Sequence, residues 1–431
     1  MANPTTPENE RIYDVLPQHH DLWDQTIETI QDALERAEHQ KVTVPFGEKE
    51  AFFTKKLLQK LNLQRRSDLY IVRRSHKQGL VVSPPGPIGL LRLCTQHELL
   101  DSRTPSKLYT YTSTLSYDDE AQDYEQHHVV KSETIGDASA VRDAEQIMIA
   151  QNVLKELGFH SITVHINSLG SEECKERYYE KILQEIPEEL HEICEQYRND
   201  PVKMFICLQE RLAEREDINL PQLIDNLTDT CYEHFKEVLE FLDTLEIPYQ
   251  LTPQLESKTG FAHKTIFEIT GEDGSVLVRG GRHDDLLTEF QAEAEQEEPI
   301  TGSVGMELKV DRIVRTLAAR EEFQDPERKR EIFVAGVGQE GQKYALTLVS
   351  QVREEGLSVT ERLGKKRLKD QLVDAREEGI ELIVIAGRKE ALDRSVIIRH
   401  RSSENQETVD VEQFIPFLYQ KLREQNLEEV E

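Results

Sequence analysis

The chain has 431 residues, 37% of them hydrophobic and 31% charged, with a formal net charge of −30. That length supports two or three domains and a sizeable core, while the acidic balance argues against indiscriminate binding to DNA or anionic membranes and leaves room for a local basic face. No apolar run reaches transmembrane length, and residues 1–10 lack the basic-then-apolar pattern of a secretory signal, so a cytoplasmic protein is expected.

The cysteines Cys94, Cys174, Cys194, Cys207 and Cys231 are widely spaced with no Cys-x-x-Cys. This fits free thiols in a reducing compartment better than zinc or disulfides. His19-His20 and His127-His128 have no carboxylate or thiol at a ligand-like spacing, so no metal is expected.

In chain order, the spacing of Leu22, Ile27, Ile30 and Leu34 predicts an amphipathic helix over 18–38. Residues 42–46 are β-prone, interrupted by Pro45. Residues 69–73 and 79–82 read as a hairpin, and 108–117 and 127–135 as two strands joined by an acidic loop. A helix over 143–157 stops at Gly158, and a strand follows over 162–166. Residues 171 to about 235 are helical, charged and free of glycine, the mark of an inserted segment. The strand pattern resumes at Tyr249, with a hairpin of 265–270 and 276–279 across Gly271-Glu-Asp-Gly274. An acidic loop at 293–298 and a helix over 308–319 complete this unit.

A charged stretch containing Pro326 then separates a core of residues 1–322 from a domain of 331–431, with 323–330 as linker. In the latter domain, strands at 332–337, 357–361 and 382–386 alternate with helices at 342–354 and 367–377. That pattern predicts a small α/β domain with a mostly parallel sheet.

Residues 278–286 read Val-Arg-Gly-Gly-Arg-His-Asp-Asp-Leu. Gly280 and Gly281 allow close backbone approach, and Arg282 can reach into the same space. Other blocks appear in order: Tyr13-Asp-Val-Leu-Pro17, Val44-Pro45-Phe46, Gly136 followed by Asp143-Ala-Glu145, Ile166-Asn-Ser-Leu-Gly170, Asn199-Asp-Pro201 and Ile247-Pro-Tyr249. Together they resemble the histidyl-tRNA synthetase family over nearly the whole chain. The resemblance implies an α+β fold, with the antiparallel sheet core of a class II aminoacyl-tRNA synthetase, a helical insertion and an anticodon-binding-like domain. It also implies a homodimer paired through residues 18–46, with tRNA and histidine or a related small molecule as possible ligands.

The residues that such a family uses to activate its amino acid are changed. Adenylate formation concentrates negative charge, which arginines and magnesium hold. Where motif 2 has Arg-Tyr-Glu, this chain has Ser116-Tyr117-Asp118, then Asp119 and Glu120. Where the family has Arg-Gly-Leu-Asp-Tyr-Tyr, the chain has Ser257-Lys258-Thr259-Gly260-Phe261-Ala262, followed by His263-Lys264. Where motif 3 ends in Gly-Leu-Glu-Arg, it has Gly305-Met306-Glu307-Leu308, with Arg312 one turn later. Pro85 replaces the glutamate that holds the substrate amine, and Val129 the motif 2 glutamine. Glu133, Gly280, Gly281, Arg282 and Asp284 remain as pocket residues. They would serve either a ligand or the fold itself, with Glu133 pairing to Arg282.

Three readings follow. The first is a pseudoenzyme, a binding or regulatory paralogue without a cofactor. The second is a divergent histidine–tRNA ligase that uses ATP and magnesium with Lys258, Lys264 or Arg312. The third is a regulatory subunit of ATP phosphoribosyltransferase, a family that generally lacks the C-terminal domain. In that domain Arg362, Lys365, Lys366, Arg367 and Lys369 are either phosphate contacts to RNA or a solvated helix start.

Overall fold

The computed structural model describes residues 12–53, 69–74, 79–82, 86–100, 103–118, 122–198, 200–212, 220–256, 262–293, 300–320, 331–365, 367–400 and 406–428. Pro85, Ser257, Lys258, Phe261 and Lys366 lie outside them.

The first unit is Met1–Asp325. In α1 (His20–Arg36) the stripe of Leu22, Trp23, Ile30, Ala33 and Leu34 is buried. β1 (Gln40–Lys41) and β2 (Gly47–Lys49) flank residues 42–46, which do not form the expected strand. Val42 still donates its N–H to the Tyr109 carbonyl at 2.8 Å, but Pro45 has no donor with which to continue a ladder. β3 (Ile71–Val72) and β4 (Leu80–Val82) form the expected hairpin, and β2 pairs with β4 to make a three-stranded sheet. α2 (Ile88–Gln96) has no counterpart among the predicted elements.

β5 (Ser106–Asp118) and β6 (Asp123–Ile135) form a long antiparallel pair. α3 (Ala140–Glu156) ends ahead of Gly158, whose φ of +83° is the left-handed conformation that glycine adopts freely. After β7 (Thr163–Ser168) come α4 (Glu172–Glu185), α5 (His191–Gln196), α6 (Pro201–Arg211) and α7 (Asp229–Thr244). The first three of these helices share a separate apolar cluster that includes Tyr178, Ile182, Cys194 and Leu208. α7 instead packs Phe235, Val238 and Leu242 into the main core. The unit continues through β8 (Tyr249–Leu251), β9 (His263–Thr270), β10 (Val276–Arg282), α8 (Asp284–Glu293), β11 (Ser303–Lys309) and α9 (Val310–Ala318). The helix expected from residue 308 thus starts at Val310, after a strand.

These strands form an eight-stranded sheet of order β1-β5-β6-β11-β10-β9-β7-β8. It is antiparallel except at its edges, where β1 runs parallel to β5 and β8 to β7. Side chains alternate between faces along a strand, and the registers expose the consequence. Val130, Leu308, Val278, Ile269 and Val164 form one cross-strand row inside the apolar core under the helices. The next row, Lys131, Glu307, Arg279 and Glu268, faces the other way.

The second unit is Pro326–Glu431. It contains β12 (Ile332–Gly336), α10 (Gly338–Glu354), β13 (Val359–Glu361), α11 (Leu368–Glu377), β14 (Leu382–Ala386), α12 (Arg388–Asp393), β15 (Ser395–His400), β16 (Gln406–Asp410) and α13 (Val411–Glu428). The strand order is β13-β12-β14-β15-β16. Only the first three are parallel, since β15 runs antiparallel to β14 and to β16. The sheet is therefore mixed rather than mostly parallel. β12 is buried along its whole length, as suits a central strand with apolar clusters on both faces.

Candidate functional site

The charged row of the large sheet forms the floor of a cavity of about 180 Å³. Lys131 on β6 stands beside Glu307 on β11, Nζ to Oε2 3.6 Å, and also donates to the Gly86 carbonyl at 3.1 Å. Arg279 on β10 donates through Nε to Glu268 on β9 at 2.5 Å. Two residues beyond Glu307, on the same face of the strand, Lys309 also lines the cavity and is only 6% exposed. Among the described residues no hydrogen bond or ion pair engages its ammonium. Burial pushes its pKa down to about 8; Glu307 opposes this, while Arg312 and Arg279 add to it.

Glu133 lines the cavity at its other end and is almost fully buried. Its Oε1 lies 2.8 Å from His283 Nδ1 and accepts from Ser303 Oγ at 2.5 Å. The expected pairing of Glu133 with Arg282 does not occur. A register shift between Gly281 and Arg282 alters the alternation of β10 at that point, and Arg282 turns inward, fully buried. Its Nε donates to Asp143 Oδ2 at 2.8 Å, its Nη1 to Asp284 Oδ1 at 3.0 Å, and its Nη2 to the carbonyls of Ser139 and Asp137 at 2.8 and 3.4 Å. Burial alone would raise the Asp143 carboxyl, but Arg282, with help from His234 and Thr265, holds it below the usual carboxylate range. Asp284 also accepts from the Ser303 N–H at 2.9 Å.

The glycines are explained by packing. A Cβ on Gly280 would meet the Phe267 ring at 2.2 Å and the Gly305 carbonyl at 2.6 Å. One on Gly281 would meet the Thr265 carbonyl at 2.8 Å. The close approach that Gly280 permits is therefore made by the protein's own aromatic ring. Apolar walls from Leu255, Ala262, Ile266 and Met306 complete the lining.

Of the candidate catalytic cations, the two that are described lie elsewhere. Lys264, at φ +52°, reaches Asp284 at 3.7 Å and does not line the cavity. Arg312 reaches Glu125 at 3.7 Å and is also outside the lining. Beside it His127 lies between Asp311 at 3.1 Å and Glu125 at 3.2 Å. Burial would lower its pKa, but the two carboxylates outweigh burial and raise it. Lys131, Arg279 and Lys309 were not among the candidates. The strand period would have found them, since each stands two positions from another cavity residue: Glu133, Gly281 and Glu307 respectively. Leu308, matched to the motif 3 arginine, is fully buried on the helix side; the cavity-facing position at the end of β11 is Lys309.

In the second unit, Arg362 pairs with Glu378 and lies 4.0 Å from Asp374, while Lys365 reaches Asp374 at 2.6 Å. Arg367 pairs with Asp370 at 2.9 Å but is largely exposed, and Lys369 is exposed.

Residues 331–421 match the anticodon binding domain family. The histidine–tRNA ligase of Natranaerobius thermophilus is 26% identical over 367 residues, covering 83% of this chain and 86% of that protein. That of Caldicellulosiruptor bescii is 25% identical over 421 residues, covering 95% and 97%. Among solved structures, apo histidyl-tRNA synthetase of S. aureus aligns with a TM-score of 0.73 at 18% identity, covering 95% of this chain and 98% of that one. A Bacillus halodurans protein described as an ATP phosphoribosyltransferase regulatory subunit/histidyl-tRNA synthetase aligns with a TM-score of 0.62 at 17% identity, covering 89% and 99%. These two likenesses establish the fold.

Proposed function

We propose that this chain, whose similarities run to the histidyl-tRNA synthetase family, is a non-catalytic member of it, a binding or regulatory paralogue rather than a working ligase. The observation that carries the reading is the charge on the cavity floor. Glu307 and Glu268 engage Lys131 and Arg279, which among the described residues of the cavity leaves Lys309 as the cation available to a triphosphate. A lysine offers a point charge without the planar fork of arginine. Each carboxylate repels a phosphate oxygen 4 Å away by ~4 kcal/mol at an effective dielectric of ~20, which offsets the attraction of its paired cation, so neither pair draws in a triphosphate. The described residues do not fit magnesium-bound ATP either, because Glu133, Glu268 and Glu307 are each already engaged.

Retained tRNA binding by the second unit, pairing of two chains through residues 18–46, and residence in the cytoplasm belong to the same proposal. The test is histidine-dependent ATP–pyrophosphate exchange, run beside tRNA binding on the same preparation. Binding without exchange supports the reading. One observation favours the active-ligase alternative: Lys309, buried and without a partner among the described residues, is turned into the cavity. Exchange that disappears on Lys309→Met would establish that alternative.

A further inference from the structure

Cys174 and Cys231 stand out from the other cysteines. Each is the third residue of a helix, three positions after a Ser or Thr whose hydroxyl caps it: Ser171 for α4 and Thr228 for α7. Ser171 Oγ accepts from the Cys174 N–H, and Thr228 Oγ1 from the Cys231 N–H, both at 3.4 Å. Cys174 therefore sits in the first turn of α4 and Cys231 in that of α7, where the positive helix end favours thiolate over thiol.

The two caps cross over. The Thr228 N–H donates to Cys174 Sγ at 3.2 Å, and the hydroxyls of Ser171 and Thr228 lie 3.4 and 3.6 Å from the same sulfur. Gly170, at φ +60°, makes the room: a Cβ there would fall 2.5 Å from Cys174 Cβ and 2.8 Å from its sulfur. The neighbouring Cys231 thiol is the foremost influence drawing Cys174 below the ordinary thiol range, with the Ser171 and Thr228 groups adding to it against burial, while Cys231 itself is pushed up. Cys94 and Cys194 behave oppositely, with burial pushing them up to about 12 and about 11.

We infer that Cys174 and Cys231 form a redox-active dithiol, which small-molecule disulfides oxidise to an internal disulfide that fastens the first helix after β7 to the start of α7. The Cys174 thiolate attacks one sulfur of the small disulfide, breaking its S–S bond and releasing one thiolate. Cys231 then gives up its proton and attacks Cys174 sulfur in the mixed disulfide, releasing the second thiolate. One protein thiolate and one protein thiol are oxidised, and one small disulfide is reduced to a thiolate and a thiol, the latter carrying the proton from Cys231. The inference is independent of any catalytic role for the cavity.

The experiment uses the full chain with oxidised glutathione as the probe, and Cys174→Ser and Cys231→Ser as variants. Near neutral pH the wild type should show thiolate ultraviolet absorbance that Cys174→Ser lacks. Peptide mapping after oxidation should recover the Cys174–Cys231 link. Cys231→Ser should arrest as a mixed disulfide on Cys174. Equal thiolate absorbance in wild type and Cys174→Ser, or oxidation confined to the partly exposed Cys207, would overturn the proposal. Should Cys174→Ser fail to fold, Cys231→Ser alone decides: an adduct on Cys174 supports the dithiol, and no adduct there overturns it.

Discussion

Replacing Arg282 with Met should destabilise the first unit while leaving its packing volume nearly unchanged. Arg282 and Asp143 are both fully buried, and the guanidinium also serves Asp284 and two carbonyls. Removing one partner of such a pair costs about 3–5 kcal/mol. A second route gives the same size. Without Arg282 the Asp143 carboxyl escapes its penalty by taking a proton, and protonating a group of ordinary pKa ~3.9 at neutral pH costs ~4 kcal/mol. The route also fixes the pH dependence. In the wild type Asp143 has a depressed folded pKa, so its stabilisation is present above ~3.9 and is lost as pH falls through the folded value. In the variant its folded pKa is raised, so the protein gains relative stability as pH falls. The gap between the two proteins should therefore narrow by roughly 2–3 kcal/mol between about pH 7 and about pH 5. Urea unfolding followed by circular dichroism at both pH values measures it. The double variant Arg282→Met/Asp143→Leu should recover much of the loss, because an apolar pair carries no stranded charge. A single variant within ~1 kcal/mol of wild type, or a gap that ignores pH, would refute the assignment of Arg282 to the fold and return it to the ligand.

The His127 ring should titrate above the ordinary ~6.5 by NMR, because Asp311 and Glu125 outweigh its burial. Its stabilisation is complete below ~6.5 and is lost as pH rises through the folded value, so a midpoint below 6.5 would contradict the pairing. Lys309→Met should stabilise the protein at neutral pH by up to about 3 kcal/mol in urea unfolding, since burial depresses the lysine to about 8. The depressed pKa means that wild-type stability climbs as pH rises from about 8 towards ~10.4 and that the variant lacks this climb; no gain would show that the ammonium is satisfied. In the second unit, Arg367→Ala with Lys369→Ala should weaken tRNA binding and flatten its salt slope by about 2, while an unchanged slope would assign both cations to solvent.

The long β5–β6 pair, the β9–β10 hairpin and α1 were legible because apolar and polar residues alternate there with the period of their element. β11 was not, although Val304, Met306 and Leu308 alternate with Gly305, Glu307 and Lys309, because its last residues run directly into the apolar pattern of α9 and read as that helix's start. The same one-element error hid Lys309 behind Leu308. Gly280 and Gly281 announced a close approach, but the approaching group, the Phe267 ring, belongs to another strand and emerges only from the register. Arg282 read as serving either a ligand or the fold, and its partner could not be named because it stands 139 positions away in sequence. Asp143 was visible as one of the residues carrying the family resemblance, and only the fold gives it a role. The C-terminal basic cluster was visible as charge, yet the carboxylates of α11 that engage Arg362, Lys365 and Arg367 could be matched to them only in three dimensions.

On the proposed reading the cavity floor serves its own ion pairs and not a triphosphate. Histidine-dependent exchange of pyrophosphate into ATP, measured on the full chain beside a working histidine–tRNA ligase, tests it most directly. No exchange above background is expected from a preparation that is folded and binds tRNA. Histidine-dependent exchange comparable to that of the reference enzyme would contradict it.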